Sequence, residues 1–177
     1  MVTVYNDLIE FFEGLAISNK ILNHNAAIAG TERLRKTFIT VDDEDALGAS
    51  IQTGIDFPCM VMVDINGRMM NKDEDYRKMW YHTIFFLDKI NTKETAESVA
   101  KNRTLVNSEL VMNQFINKLR EIITSQDAAY QFREIYLGNF VWSKTGRVAN
   151  CCYGWKLSFG TETDASDLTV YDDTAWQ

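Results

Sequence analysis

Residues 57–64 read Phe-Pro-Cys-Met-Val-Met-Val-Asp. A strand turns successive side chains to opposite faces, so this stretch is apolar on both. That is the pattern of a central strand. Pro58 near its start is tolerable, because a first residue can forgo its N–H. Asn66-Gly67 follows and predicts a hairpin turn, since both residues accept positive φ. A brief return through Met69 and Met70 leads to a charged loop at residues 72–75. A long strand is then expected over residues 76–89, through Trp80, Tyr81, Ile84, Phe85, Phe86 and Leu87. Aromatic and β-branched side chains suit such a pleated, half-buried surface.

Two helices flank these strands. Over residues 6–23, Leu8, Phe12, Leu15 and Leu22 recur at helical spacing, with Ile9 and Phe11 beside them. Asn6 or Asp7 is the expected N-cap. The longest element is expected over residues 93–125, opened by Asn91 and Glu94 at capping-box spacing. Val99, Val106 and Leu110 form its first apolar stripe. Ile116, Leu119 and Ile123 continue it, with Phe115 and Ile122 alongside. A C-terminal hairpin is expected last, with residues 132–142 turning at Ser143-Lys144-Thr145-Gly146 into residues 147–159. The return strand alternates: Ala149, Cys151, Tyr153, Trp155, Leu157 and Phe159 share one face, while Cys152, Gly154, Lys156 and Ser158 share the other. The fold class is therefore α+β, with a mixed or antiparallel sheet, two main helices on one face and an acidic C-terminal arm.

Residues 24–56 carry fewer signals. Thr37–Val41 is β-prone. Asp42-Asp43-Glu44-Asp45 precedes Ala46, Leu47 and Ala49, which suits the first turn of a short helix, where carboxylates meet the positive end of the dipole. Divalent-metal binding is the sharper alternative, but the run lacks the alternating ligands and central Gly of an EF-hand loop.

Charge separates the chain into two parts. The 177 residues hold 18 Lys and Arg against 25 Asp and Glu, a net charge of −7. Five of those charges, Glu162, Asp164, Asp167, Asp172 and Asp173, fall in residues 161–177, which contain no Lys or Arg. The remaining body, residues 1–160, carries −2 and is expected to be a single domain. A merely solubilising tail needs no Leu168, Val170, Tyr171 and Trp176. An arm that adds to a neighbour's sheet edge or groove would use them. Asp164, Asp167, Leu168, Val170, Tyr171 and Trp176 are therefore the expected interface residues.

Several functions are disfavoured. The basic residues are interspersed with acids and make no stripe, so a nucleic-acid groove is not expected. No apolar run approaches the ~18 residues needed to cross a bilayer. The first residues lack the basic region of a signal peptide, and Asp7 comes early. Three cysteines, Cys59, Cys151 and Cys152, imply no disulfide framework. Cys151 and Cys152 are adjacent, so in a strand their sulfurs would diverge. No Walker loop, Rossmann fingerprint or nucleophile elbow occurs. His82 lies within the aromatic strand and is expected to pack. His24 follows the first helix, near its terminal carbonyls. The expectation is a non-enzymatic chain without metal or cofactor. Its alternative is an intracellular enzyme or small-ligand-binding domain with a pocket near Trp80 and His82.

The order of these elements resembles the tail-terminator, or tail-completion, proteins of the tailed-bacteriophage neck. The resemblance runs over about residues 5–160, through DLIEFFEGLA, FPCMVMVDINGRMM, YRKMWYHTIFFLDK, TAESVAKNRTLVNSELVMNQFINKLREI and CCYGWKLSFG. It implies a structural virion protein made in the host cytoplasm. Such subunits form a ring, commonly a hexamer, that caps the tail tube and joins it to the head connector. The implied partners are further copies and neighbouring neck, connector or tail-tube proteins. DNA would pass through without sequence recognition. The unassigned residues 24–56 and the acidic arm depart from the minimal form of that family.

Overall fold

The computed structural model describes residues 4–24, 35–52, 54–72, 75–90, 97–125, 134–135, 139–149 and 151–164. It is α+β, as expected. Helix α1 spans Val4–Ser18, strand β1 Phe38–Val41, helix α2 Leu47–Gln52, strand β2 Cys59–Lys72 and strand β3 Asp75–Lys89. Helix α3 spans Glu97–Ser125, and strands β4, β5 and β6 span Glu134–Ile135, Val141–Lys144 and Cys152–Asp164. The six strands form one mixed sheet in the order β1-β2-β3-β6-β4, with β5 also paired to β6. Parallel strands need a crossover, and α2 supplies it between β1 and β2.

Two apolar layers cover the sheet. On one face Met60, Met62, Ile84, Phe86, Leu157 and Phe159 meet Leu8, Phe12 and Leu15 of α1 and Val111, Met112, Phe115, Leu119 and Ile122 of α3. On the other, Cys59, Val61, Val63, Phe85, Leu87 and Cys152 meet Leu47 and Ile51 of α2. The two main helices thus share one face, and residues 59–63 are buried from both sides. Met60, Met62 and Met79 belong to the core, whereas Met69 is exposed.

The Asn66-Gly67 turn does not form. β2 continues through it to Lys72, and the β2–β3 pairing reaches Lys72↔Asp75. The register shifts between Val63 and Asn66, which places a bulge at Asp64-Ile65, and Asn66 and Gly67 then pair regularly with Tyr81 and Trp80. Gly67 lies opposite Trp80, and a Cβ there would stand 2.9 Å from the indole ring. The glycine is needed for close approach of that ring.

The C-terminal hairpin also differs in detail. Ser143 and Lys144 belong to β5, and the reversal comes after Thr145, closing on Val148 and Cys152. Val148 and Cys152 exchange backbone hydrogen bonds of 2.9 and 3.0 Å, and Ala149 takes a φ of 48°. At its other end β6 runs to Asp164, four residues into the expected arm, and Thr161 and Glu162 are buried. α1 begins at Val4, so Asn6 and Asp7 lie in its first turn rather than capping it. The Asn91–Glu94 capping box lies outside the described residues. The acidic run does cap a helix: Asp43 Oδ1 accepts the Ala46 N–H at 2.7 Å, just before α2. Glu44 pairs with Lys156 of β6.

The α3 stripe shows the largest departure. Val99, Val106 and Leu110 are exposed, and the buried line runs instead through Ala100, Thr104, Ser108, Val111, Phe115, Leu119 and Ile122. Small side chains at 100, 104 and 108 let the helix approach β6. Thr104 Oγ1 donates to Ala100 O at 2.8 Å, and Ser108 Oγ donates to Thr104 O at 2.9 Å. Both hydroxyls are satisfied by their own helix, which removes most of the cost of burying them. Trp155 of β6 fills the space and donates its indole N–H to Leu105 O at 3.0 Å.

Gly154 gives the sharpest packing test. A Cβ there would stand 1.9 Å from Phe86 O, in the adjoining strand. Gly154→Ala is expected to cost about 3 kcal/mol in urea unfolding, at the upper end for overpacking. Gly14→Ala, in an open stretch of α1, should instead gain up to about 1 kcal/mol. Equal effects would contradict the β3–β6 packing.

Candidate functional site

Of the expected interface residues, Asp164 is the last residue of β6, where it pairs with Arg77 of β3. Asp167, Leu168, Val170, Tyr171 and Trp176 lie outside the described residues. The structure brings other side chains to the surface. Val99, Val106 and Leu110 of α3 are 59, 63 and 50% exposed, and Val141 and Trp142 of β5 are 67 and 55% exposed. These residues stand on regular elements whose opposite sides are anchored.

The anchoring is specific. All four residues of β5 are exposed, and among the described residues the strand pairs only with β6. Trp142 stands opposite Leu157, on the helix-covered face of the sheet. Lys144 stands opposite Trp155 and holds its ammonium 5.6 Å from that indole centroid. The same indole bonds to Leu105 O, one residue before Val106. A chain of contacts therefore runs from β5 through β6 to α3. It links two exposed features: among the described residues, an edge of β5 without a strand partner, and an apolar ridge on the outer face of α3. Such surfaces are where proteins meet partners.

The ridge has a trace in the sequence. Ala100, Thr104 and Ser108 repeat at i, i+4, i+8, as regularly as Val99, Val106 and Leu110 repeat at i, i+7, i+11. Ranking by hydrophobicity chooses the second set. Close packing chooses the first. Trp142 carries no local signal that separates exposure from burial.

The two histidines serve the interior. His24 does not meet helix carbonyls through its ring. Its Nδ1 accepts the N–H groups of Thr37 and Phe38 at 3.0 and 3.1 Å. Nε2 therefore carries the proton and donates to Glu13 Oε1 at 3.3 Å. This joins the end of α1 to the start of β1. His82 is 1% exposed, between the rings of Phe12 and Phe159 at 5.0 and 4.9 Å. Its Nε2 shares a 2.7 Å hydrogen bond with Thr161 Oγ1. Burial lowers its pKa to about 3. In this conformation His82 is core, and a ligand could reach it only if that core opened. Glu162, also buried, pairs with Arg77.

Two open grooves lie elsewhere. One, of about 380 Å³, is lined by Ile9, Glu13, Lys36, Phe38, Ile39, Thr40 and Ser50, beside the edge strand β1. The other, of about 510 Å³, runs along the last turns of α3 past Asn117, Arg120 and Thr124. Among the described residues no cluster of three His, Cys, Asp or Glu groups suits a metal ion. No described helix is long and apolar enough to cross a membrane. The cysteines depart from expectation: Cys151 lies in the turn before β6, and its sulfur is 3.3 Å from that of Cys152.

The buried His82 predicts a pH dependence. Above pH 6.5 the imidazole is neutral in both folded and unfolded chains. Below that, the unfolded chain takes up a proton that the folded chain refuses until about pH 3. Stability is therefore lost as pH falls through this window, at up to about 1.4 kcal/mol per pH unit. Between pH 7 and pH 5, urea unfolding of the native chain should lose about 2 kcal/mol more than that of His82→Phe. Equal losses would contradict the buried neutral imidazole. In comparisons with known proteins, no family model, curated protein or solved structure matches this chain.

Proposed function

We propose that this chain is a structural subunit of the tailed-bacteriophage neck, forming a ring that caps the tail tube and joins it to the head connector. The observation that carries the reading is the pair of exposed apolar surfaces on β5 and α3. They are a strand edge with Trp142, unpaired among the described residues, and a ridge of Val99, Val106 and Leu110 on a helix of 29 residues. At 1.5 Å per residue that helix is about 44 Å long, a rigid rail for docking. The order of elements supports the same reading through its resemblance to tail-completion proteins.

A closed ring is built from head-to-tail contacts, in which one surface of each subunit meets a different surface of the next. The exposed faces of β5 and α3 supply one side of such contacts. The arm beyond Asp164 supplies the mating element, with Leu168, Val170, Tyr171 and Trp176 as apolar anchors. In this reading the acidity beyond Asp164, carried by Asp167, Asp172 and Asp173, belongs to a contact between subunits. The protein is made in the host cytoplasm and resides in the virion. Its role is mechanical, and no catalysis is assigned to it.

The experiment is light scattering on the purified chain, alone and with its tail-tube partner. The expected result is a ring-sized species that Val106→Asp with Trp142→Asp abolishes. Both positions are solvent-exposed, so the doubly substituted chain should unfold within about 1 kcal/mol of the native one. A double variant that assembles like the native chain would overturn the assignment of these surfaces.

A further inference from the structure

We propose that Cys151 and Cys152 form a reversible redox site, which low-molecular-weight disulfides oxidise to a disulfide between neighbouring residues. The geometry points there. Adjacent side chains in a strand diverge, but Cys151 precedes the strand and only Cys152 belongs to it. The turn therefore brings the sulfurs to 3.3 Å. A disulfide bond is about 2.0 Å long, so roughly 1.3 Å of approach completes it.

The main chain holds the pair in place. Cys151 N–H and Cys152 N–H both donate to Val148 O, at 3.2 and 3.0 Å. Val148 N–H donates to Cys152 O at 2.9 Å, and Ile90 N–H donates to Cys151 O at 2.9 Å. Ala149 at φ 48° closes the turn in the left-handed region. Cys151 is half-buried and within reach of solvent, whereas Cys152 and Cys59 are buried.

The reaction balances in two exchanges. The Cys151 thiolate attacks one sulfur of the small disulfide, forming a mixed disulfide and releasing one thiol. Cys152 then gives up its proton to water, and its sulfur attacks Cys151 Sγ. The Sγ–Sγ bond forms and the second small thiol leaves. The protein loses two electrons and two protons. The small disulfide gains both as two thiols. Burial raises the pKa of Cys152, so its sulfur attacks only after that proton has left.

The bond is also easily reversed. Neighbouring Cα atoms are about 3.8 Å apart, below the ~4.4–6.8 Å that disulfides usually span. The hydrogen-bonded turn leaves little room to relax. Strained disulfides of this kind are the reducible ones.

The test treats the full chain with glutathione disulfide under native conditions, then alkylates it and maps its peptides by mass. The expected product has lost two hydrogens, both on the peptide containing Cys151 and Cys152, and recovers them with dithiothreitol. Cys59→Ala should retain the product and Cys151→Ser should lose it. Phenylarsine oxide, which bridges two close thiols, should bind the native chain with one equivalent and bind Cys151→Ser at least tenfold more weakly. The native peptide map stands even where a variant folds poorly. A Cys59–Cys152 linkage, a disulfide-linked dimer, or a glutathione adduct that never resolves would each overturn the proposal.

Discussion

β3 is bonded along both of its edges, and the rest of the fold is arranged around that fact. One edge pairs with β2 from Lys72↔Asp75 to Cys59↔Leu87, and the other pairs with β6 from Arg77↔Asp164 to Lys89↔Cys152. Strand alternation then divides its side chains. His82, Ile84 and Phe86 face α1 and α3, and Phe85 and Leu87 face α2. A slip of one residue would exchange the two sets, which makes the register costly to alter. Gly154 and Gly67 fix it locally, each at a point where a neighbouring strand or ring leaves no space for a Cβ.

Burying such a sheet also buries polar groups, and most of them find a partner, with His82 Nδ1 the exception among the described residues. Thr104 and Ser108 turn their hydroxyls onto α3's own carbonyls. His24 takes two backbone N–H groups at the start of β1. His82 shares a hydrogen bond with Thr161, and Glu162 pairs with Arg77. The choice of small hydroxyl residues for the inner face of α3 has an outward consequence. The helix is rotated so that Val99, Val106 and Leu110 meet water. Interior packing and exterior apolar surface are thus two sides of one arrangement.

Strong, long patterns were legible in the sequence. The two-faced apolar run at residues 57–64 marks a central strand, the aromatic run at 76–89 is β3, and the acidic cluster caps α2 through Asp43. The absence of a turn at Asn66-Gly67 is not legible, because a glycine is needed equally well beside a packed ring in a continuous strand. The α3 face was misread because two helical repeats compete, and only the distance to β6 decides between them. The sulfur pair was missed because alternation holds for strands, and Cys151 precedes one. The described surface residues of the candidate site were illegible for the same reason: exposure depends on what packs elsewhere.

The functional account joins an open edge, an apolar ridge and an acidic, aromatic C-terminal segment into one assembling subunit. In the proposed ring, each copy needs two unlike surfaces, and these features are the candidates for them. The most direct measurement is cryo-EM of tailed particles made by the replicon that encodes this chain. The account predicts density for a closed ring of this fold at the end of the tail tube, with β5 and the outer face of α3 at the subunit contacts. Particles that lack the chain would contradict it.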